Sequence, residues 1–195
     1  MRKKPELSLR ARALQYLARR EYSRAELRSK LLPHVQADED FEQSPPNGHG
    51  KYATPDDKPH HARFPHPIPL PEGEGDKDSL REFHVNYLEA LLDDLTARGW
   101  LSDARATTQL LHAKRGRFGI QRITHELRQK GIAESLIEDA LPQLKETELE
   151  TAREVWKKKF GIAPHDAKEK AKQVRFLQSR GFALDVVFKV LRDDD

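Results

Sequence analysis

Apolar side chains recur along most of the chain at intervals of three and four residues, which places them on one face of an α-helix. Val85, Leu88, Leu92 and Leu95 follow this spacing, and Gly99 stands where that helix should end. No stretch alternates apolar and polar residues for long enough to form a β-strand. The pattern therefore predicts an all-α fold.

Capping residues mark the ends of several predicted helices. Leu14 and Leu17 mark a first helix, while Ser23 and Glu26 have the spacing of a capping box at the start of a second one. Ser102 is a candidate N-cap further along the chain. The predicted helices lie within 7–32 (two), over 81–98 (one), within 103–141 (three), and over 146–160, 166–180 and 183–192.

Two stretches of the chain carry the same pattern fifty residues apart, LRQKGIAESLIEDAL at 127–141 and LQSRGFALDVVFKVL at 177–191. Each is typical of a helix that ends on a cation and a glycine and is followed by a short helix. A unit this short cannot bury its apolar stripe alone, so the copies must stack against neighbours. The matched positions include Leu127 with Leu177, Lys130 with Arg180, Gly131 with Gly181 and Ile132 with Phe182.

Grouping the helices in threes gives three tandem units, with expected borders at 1–99, 100–144 and 145–195. In this grouping Leu27 and Leu31 of the first unit match Ile123 and Leu127 of the second. Small three-helix units in tandem should form an elongated, curved body. Such a body suits contact with a long partner.

A Pro-rich insert interrupts the first unit at residues 33–79. It holds nine of the twelve prolines and five of the nine histidines. Proline removes backbone hydrogen-bond donors, and no apolar periodicity survives in the segment. We expect this insert to be disordered, and we expect His49, His60, His61 and His66 within it to be solvated rather than to bind a metal.

Composition restricts the class of protein. The 36% hydrophobic content is enough for a modest core, and cysteine is absent, so no disulfide or thiolate site is available. No apolar run is long enough to span a bilayer, and the first residues lack the apolar core of a signal peptide. We expect a soluble, cytoplasmic monomer.

No catalytic or metal-binding pattern is complete. HELRQ at 125–129 resembles a zinc-protease helix, but Gln129 stands where the second histidine is required. GRFG at 116–119 follows no strand and precedes no Walker lysine, so it is predicted to be a turn between two helices. Asp93 and Asp94 are expected to be solvent-facing charges on different faces of a helix. The sequence thus predicts a protein that is not an enzyme and has no cofactor.

Cations are concentrated in all three units. Residues 1–32 carry ten Lys or Arg and three acids, whereas residues 33–79 carry four and ten. One interpretation is that these cations form a solvated face, and the alternative is that they bind a polyanion or an acidic protein groove. The candidate partner-binding residues are Arg24, Arg28, Arg115, Arg117, Arg122, Lys130, Lys168, Lys172 and Arg175.

Four segments together resemble the RecX family of recombination regulators, and the likeness covers nearly the whole chain outside 33–79. They are YSRAELRSKL at 22–31, RGWLSDARA at 98–106, KRGRFGIQRITHELRQKGI at 114–132 and KAKQVRFLQSRGF at 170–182. The resemblance implies three tandem three-helix repeats. The insert departs from it, because the family has a shorter variable link at this place.

The resemblance also implies a partner. RecX proteins bind the RecA filament on single-stranded DNA, lie in its groove, and suppress its ATPase, strand-exchange and co-protease activities. One alternative is a helical-repeat protein that binds nucleic acid directly, without RecA as a partner. Direct contact with DNA is compatible with both interpretations. A second alternative is a scaffold without an anionic partner, in which reversing the charges of Lys172 and Arg175 would change nothing.

Overall fold

The computed structural model describes residues 7–35 and 77–192, with side chains described in 7–35 and 82–192. Over these residues the regular structure is entirely helical, which confirms the all-α prediction. The helices are α1 Leu9–Leu17, α2 Arg24–Val35, α3 Lys77–Ala97, α4 Asp103–Lys114, α5 Ile120–Gln129, α6 Glu134–Lys159, α7 Ala167–Ser179 and α8 Leu184–Arg192.

The helices form three units, each around its own apolar core. Helices α1 to α3 enclose the first core, and Leu27, Leu31, Leu88 and Leu92 are completely buried there. Helices α4, α5 and the first half of α6 enclose the second core. The second half of α6 packs with α7 and α8 around the third core. The predicted tandem arrangement of three three-helix units is confirmed.

Helix α6 runs without a break through the second and third units. The sequence predicted two helices with a gap between 141 and 146, so the expected border at 144/145 falls inside one helix of 26 residues. Pro142 removes only one hydrogen bond, the one to the carbonyl of Glu138, and Glu138 is exposed to water. Burial outweighs this loss, because one face of α6 enters both cores. Ile137 and Leu144 pack in the second core, and Ala152, Val155 and Trp156 pack in the third.

The third core contains a hydrogen-bonded polar pair, Trp156 and Gln173. In the repeat, Gln173 matches Ile123 of the second core. Trp156 Nε1 donates to Gln173 Oε1 at 2.7 Å, and Gln173 Nε2 donates to the carbonyl of Ile162 at 3.2 Å. Gln173 is buried, and these bonds use both ends of its amide. The pair therefore fastens α6 and α7 to the loop between them.

The borders of the predicted insert are helical, unlike the prediction. Helix α2 continues through Pro33 to Val35, and α3 begins at Lys77. Pro33 is tolerated because it lies in the last turns of α2 and leaves only the carbonyl of Ser29, an exposed residue, without its helical donor. Residues 36–76, and with them His49, His60, His61 and His66, lie outside the described residues.

The matched positions of the sequence repeat have the same structural roles. Leu127 and Leu177 are both buried, and Gly131 and Gly181 both have a positive φ, +68° and +84°. One detail of the first unit differs, since Leu14 is exposed on α1 and Leu9 takes its place in the core. The repeat therefore encodes the end of α5 in the second unit and the end of α7 in the third.

The second helices of the three units are stacked end to end, and the repeated glycines form the joints. At the first joint, the side chain of Ser23 at the start of α2 donates to the carbonyl of Lys130 at the end of α5, at 2.5 Å. At the second joint, Gly119 N–H at the start of α5 donates to the carbonyl of Arg180 at the end of α7, at 2.9 Å. Positive helix N-termini thus meet negative C-termini, which is favourable for the helix dipoles.

Polar contacts reinforce the first joint. Glu26 N–H donates to Ser23 Oγ at 3.1 Å, which confirms the predicted N-cap. The Glu26 carboxylate, which the predicted capping box would have placed on the Ser23 N–H, instead accepts from Lys130 Nζ at 2.8 Å and from Arg20. Burial opposes the shift, but these two cations hold the pKa of Glu26 below its ordinary value.

A buried carboxylate lies at the second joint. Glu148 of α6 is positioned between the second and third cores and accepts from Ile120 N–H, the first residue of α5, at 3.0 Å. Burial raises the pKa of Glu148, the bond from Ile120 partly opposes this, and the nearby charge of Asp185 adds to the rise. The two joints thus carry carboxylates whose pKa values move in opposite directions.

We expect Glu148→Gln and Glu26→Gln to change the pH dependence of stability in opposite ways. Stability from Glu148 is present below the ordinary glutamate value of 4.5 and is lost as pH rises through its raised pKa. Stability from Glu26 is present above 4.5 and is lost as pH falls through its lowered pKa. Urea unfolding of the wild type and both variants, from about pH 3 to about pH 7, measures the two differences in free energy. Parallel differences would contradict the assignment.

Candidate partner interface

Two of the nine predicted partner-binding cations are paired with carboxylates inside the first unit. Arg24 contacts Asp93 Oδ1 at 2.6 Å and Glu89 Oε2 at 2.7 Å, and Arg28 contacts Glu89 Oε1 at 2.5 Å. Hydrogen bonds from Arg28 and then Arg24 hold the pKa of Glu89 below its ordinary value, although burial opposes this. These contacts join α2 to α3. Asp93 faces solvent as predicted, with its side chain 71% exposed, and it is also an ion-pair partner of Arg24.

Asp94 and Lys130 are also paired within the chain. Asp94 contacts Arg98 at 2.8 Å and Arg10 at 3.5 Å, and its side chain is only 20% exposed. Lys130 is a candidate partner-binding residue, but its ammonium group contacts Glu26 across the first joint. Its contact therefore holds the first two units together.

Four cations surround the ring of Phe118 at the second joint. We call these four cations and the ring the Phe118 cluster. The cations lie at 4.7 to 6.0 Å from the ring centroid: Lys114 Nζ at 5.3 Å, Arg117 Cζ at 6.0 Å, Arg122 Cζ at 4.7 Å and Arg180 Cζ at 5.4 Å. Lys114 is paired with Glu126 at 3.2 Å. The three arginines have no carboxylate partner among the described residues.

Backbone carbonyls hold two of the three arginines of the Phe118 cluster. Arg122 Nη1 donates to the carbonyl of Ser179 at 3.1 Å, and Arg180 Nη1 donates to the carbonyl of Arg117 at 3.4 Å. Both bonds cross from the second unit to the third. The guanidinium groups are therefore held in place while their charge stays uncompensated, which favours binding of an anion.

The last three predicted cations share one face of α7, and we name them the α7 stripe. Lys168, Lys172 and Arg175 are spaced by four and three residues and all are exposed. Arg175 Nε donates to the carbonyl of Ala171 at 3.2 Å, and none of the three has a carboxylate partner among the described residues. Arg180, the C-cap residue of α7, belongs to the Phe118 cluster.

Arg115 is the remaining candidate, and it caps α4 at the surface. It follows the paired Lys114 and precedes the GRFG turn, which does connect two helices as predicted. Arg115 has no carboxylate partner within the part of the chain that the structure describes. The unpaired candidates therefore concentrate in the second and third units, while those of the first unit are used internally.

Three members of the Phe118 cluster are absent from the residues that the sequence predicted to bind a partner: Lys114, Phe118 and Arg180. Arg180 was recognised only as the repeat partner of Lys130, and Phe118 only as a letter of the GRFG turn. The sequence repeat could have indicated Arg180, because it places Lys130 and Arg180 directly before Gly131 and Gly181, the glycines at which the units meet. Glu148 was missed as well, since a single glutamate on a long helix has no distinctive pattern.

The described residues present neither a metal-binding group of side chains nor a membrane-spanning helix. Within the described ranges no group of His, Cys, Asp and Glu side chains is arranged to hold a metal ion. His125 of the HELRQ segment is exposed on α5. None of the helices in residues 7–35 and 77–192 combines the length and apolar character needed to cross a bilayer.

Comparison with known proteins agrees with this architecture. A family model described as "RecX, second three-helix domain" matches residues 102–141, and one described as "RecX, third three-helix domain" matches residues 146–191. A protein named regulatory protein RecX in Leptothrix cholodnii is 42% identical over 97% of this chain and 90% of its own length. The chain belongs to the RecX family. The RecX family protein of Ralstonia pickettii is 33% identical over 97% of this chain and 89% of its own length.

Solved RecX structures have the same fold. The crystal structure of RecX from Lactobacillus salivarius superposes with a TM-score of 0.61 at 17% identity, over 95% of this chain and 94% of that one. Another crystal structure of regulatory protein RecX gives a TM-score of 0.58 at 19% identity, over 95% of this chain and 71% of that one. The curated relatives carry the name of a regulatory protein, so a regulatory role is the function that the RecX family assigns to this chain.

Proposed function

We propose that this chain is a non-enzymatic modulator of RecA. It binds the RecA filament on single-stranded DNA and inhibits the ATPase, strand-exchange and co-protease activities of that filament. It acts as a monomer in the cytoplasm, where such filaments assemble on DNA. Family membership supports the regulatory role, and the unpaired cations of the second and third units support an anionic binding surface.

The observation that carries the proposal is the position of the unpaired cations on a stacked body. The Phe118 cluster lies at the joint between the second and third units, and the α7 stripe lies along one face of α7 in the third unit. A filament repeats its acidic surface and its phosphates from one protomer to the next. Several weak contacts can therefore form together, and their effects multiply if the binding body keeps its shape.

The joints supply the required stiffness. Each joint includes a hydrogen bond that involves no long side chain, since Ser23 Oγ donates to the carbonyl of Lys130 and Gly119 N–H donates to the carbonyl of Arg180. Helix α6 also passes through two of the three units without interruption. The cationic surface is therefore held on a body that can reach neighbouring RecA protomers at once.

The first test is a titration of RecA ATP hydrolysis on single-stranded DNA at fixed salt, beside binding of the chain to the same DNA without RecA. We expect inhibition at concentrations far below those that saturate bare DNA. We expect Lys172→Glu/Arg175→Glu to raise the half-inhibiting concentration at least about tenfold, which corresponds to about 1.4 kcal/mol. Both side chains are exposed, so helix content should not change.

The matched control is Lys145→Glu/Lys189→Glu. Both lysines are exposed, lie outside the Phe118 cluster and the α7 stripe, and change the net charge by the same amount. The control should inhibit like the wild type. Equal loss of inhibition in both double variants would mean that only net charge matters. Unchanged inhibition by Lys172→Glu/Arg175→Glu would exclude the α7 stripe as the contact surface.

Direct binding of nucleic acid is the second candidate function. The packing of Arg180 against both Phe118 and Phe176, at 5.4 and 5.2 Å, favours it, because arginine and aromatic side chains together bind single strands. This candidate predicts that inhibition occurs only where the DNA itself is covered. It also predicts a steep loss of affinity with salt.

A further inference from the structure

An open cleft of about 920 Å³ follows the stacked second helices, on a surface that shares only Arg122 with the Phe118 cluster and no residue with the α7 stripe. It is lined by the first turns of α2, by α5 along its whole length, and by the end of α7. It therefore touches all three units and crosses both joints.

Most charges inside the cleft are already compensated. Glu26 is paired with Lys130 at 2.8 Å, and Glu126 is paired with Lys114 at 3.2 Å. Lys30 and Arg122 remain without a carboxylate partner among the described residues. Arg122 lies where α5 begins, beside α7, whereas Lys30 lies on α2, beside the end of α5. The uncompensated charges are therefore positive and stand towards opposite ends.

Two amide side chains and one imidazole line the cleft along α5. Gln121, His125 and Gln129 are spaced by four residues, so they follow one another along the same face of α5. Their side chains make no hydrogen bond to other described residues. Each glutamine amide has both donors and an acceptor, which match the N–H and C=O groups of an extended polypeptide. A phosphodiester backbone presents acceptors alone.

The lining also differs from that of a site for single-stranded nucleic acid. Such sites stack bases on aromatic rings, and no Phe, Tyr or Trp is among the described residues that line the cleft. Aromatic rings are found instead in the Phe118 cluster. The two surfaces thus share Arg122 but have different chemistry.

We propose that this cleft binds an extended acidic segment of a partner protein. The ten residues of α5 extend over about 15 Å, which an extended strand covers with about five residues. Gln121 and Gln129 hydrogen-bond the backbone of the segment, and Lys30 and Arg122 receive carboxylates near its ends. This inference goes beyond the proposed function, because it does not depend on RecA as the partner.

The test is fluorescence anisotropy with three labelled probes and no RecA: a peptide of alternating glutamate and serine, the same peptide with lysine in place of glutamate, and oligothymidylate. We expect the acidic peptide to bind, and Gln121→Ala/Gln129→Ala to weaken it at least tenfold. The matched control, Gln15→Ala/Gln143→Ala, removes two exposed amides of α1 and α6 outside the cleft and should bind like the wild type.

Three outcomes would overturn the proposal. They are no binding of the acidic peptide, equal binding of the lysine peptide, and unchanged affinity in Gln121→Ala/Gln129→Ala. A tenfold loss of oligothymidylate binding in that variant would assign the cleft to nucleic acid instead. Because RecA is absent from this experiment, its failure leaves the ATPase test of the proposed function intact, and the reverse also holds.

Discussion

Gly181→Ala is expected to lower the free energy of unfolding by about 3 kcal/mol, because this glycine is required for two separate reasons. Its φ of +84° lies in the left-handed region, which costs other residues about 1 to 2 kcal/mol. A Cβ there would also lie 2.5 Å from both the backbone nitrogen and the Cβ of Arg122, which belongs to the preceding unit. Urea unfolding measures the loss.

Variants at two other glycines measure the backbone strain and the steric clash separately. Gly99 has a φ of +70°, but a Cβ there would meet no atom within 4 Å, so Gly99→Ala should cost about 1 kcal/mol. Gly119 has an ordinary φ of −77°, yet its Cβ would lie 2.2 Å from the carbonyl oxygen of Gly181. We expect Gly119→Ala to cost about 2 kcal/mol by pushing the joint apart. A Gly181→Ala variant as stable as Gly99→Ala would refute the close stacking of the second and third units.

Leu177→Asp is expected to unfold the third unit, at a cost of about 5 kcal/mol or more. Leu177 is completely buried in the third core, and a carboxylate there would have no cationic partner. Each unit has its own core, so the first unit should keep its helices. Circular dichroism gives the total helix loss, and hydrogen exchange shows which helices lose protection.

Two variants make this prediction specific. Leu127→Asp places the same charge in the second core and should unfold the central unit, which has neighbours on both sides. Leu184→Asp is the control, because Leu184 is 48% exposed in the first turn of α8, where an acid is favourable. Native helix content in Leu177→Asp, or equal damage in Leu184→Asp, would contradict the core assignment.

Much of the fold could be predicted because the signals are local. The N-caps Ser23 and Ser102 each bond an amide three residues away, and Gly99 and Gly131 each end a helix with a positive φ. Errors occurred where a local signal competed with burial. The sequence predicted a gap after residue 141, but the continuous apolar face of α6 enters two cores and outweighs the one hydrogen bond that Pro142 removes.

The candidate interface was less predictable, because charge counts do not show pairing. Arg24 and Arg175 look alike in the sequence, yet Arg24 contacts Asp93 and Glu89, which follow it by 69 and 65 residues. Arg175 has no such partner among the described residues. Only the packing of α3 against α2 decides that one arginine is used internally while the other remains available.

The sequence by itself determined the helices, their caps and the repeat, since these depend on contacts within a few residues. The tertiary structure alone decided how the units stack, because Ser23 and Lys130 meet across 107 residues and Arg122 and Ser179 across 57. It also decided which cations are compensated and where the cleft lies. A periodic pattern fixes which face of a helix is apolar, but the partner of a polar side chain depends on the packing of the whole chain.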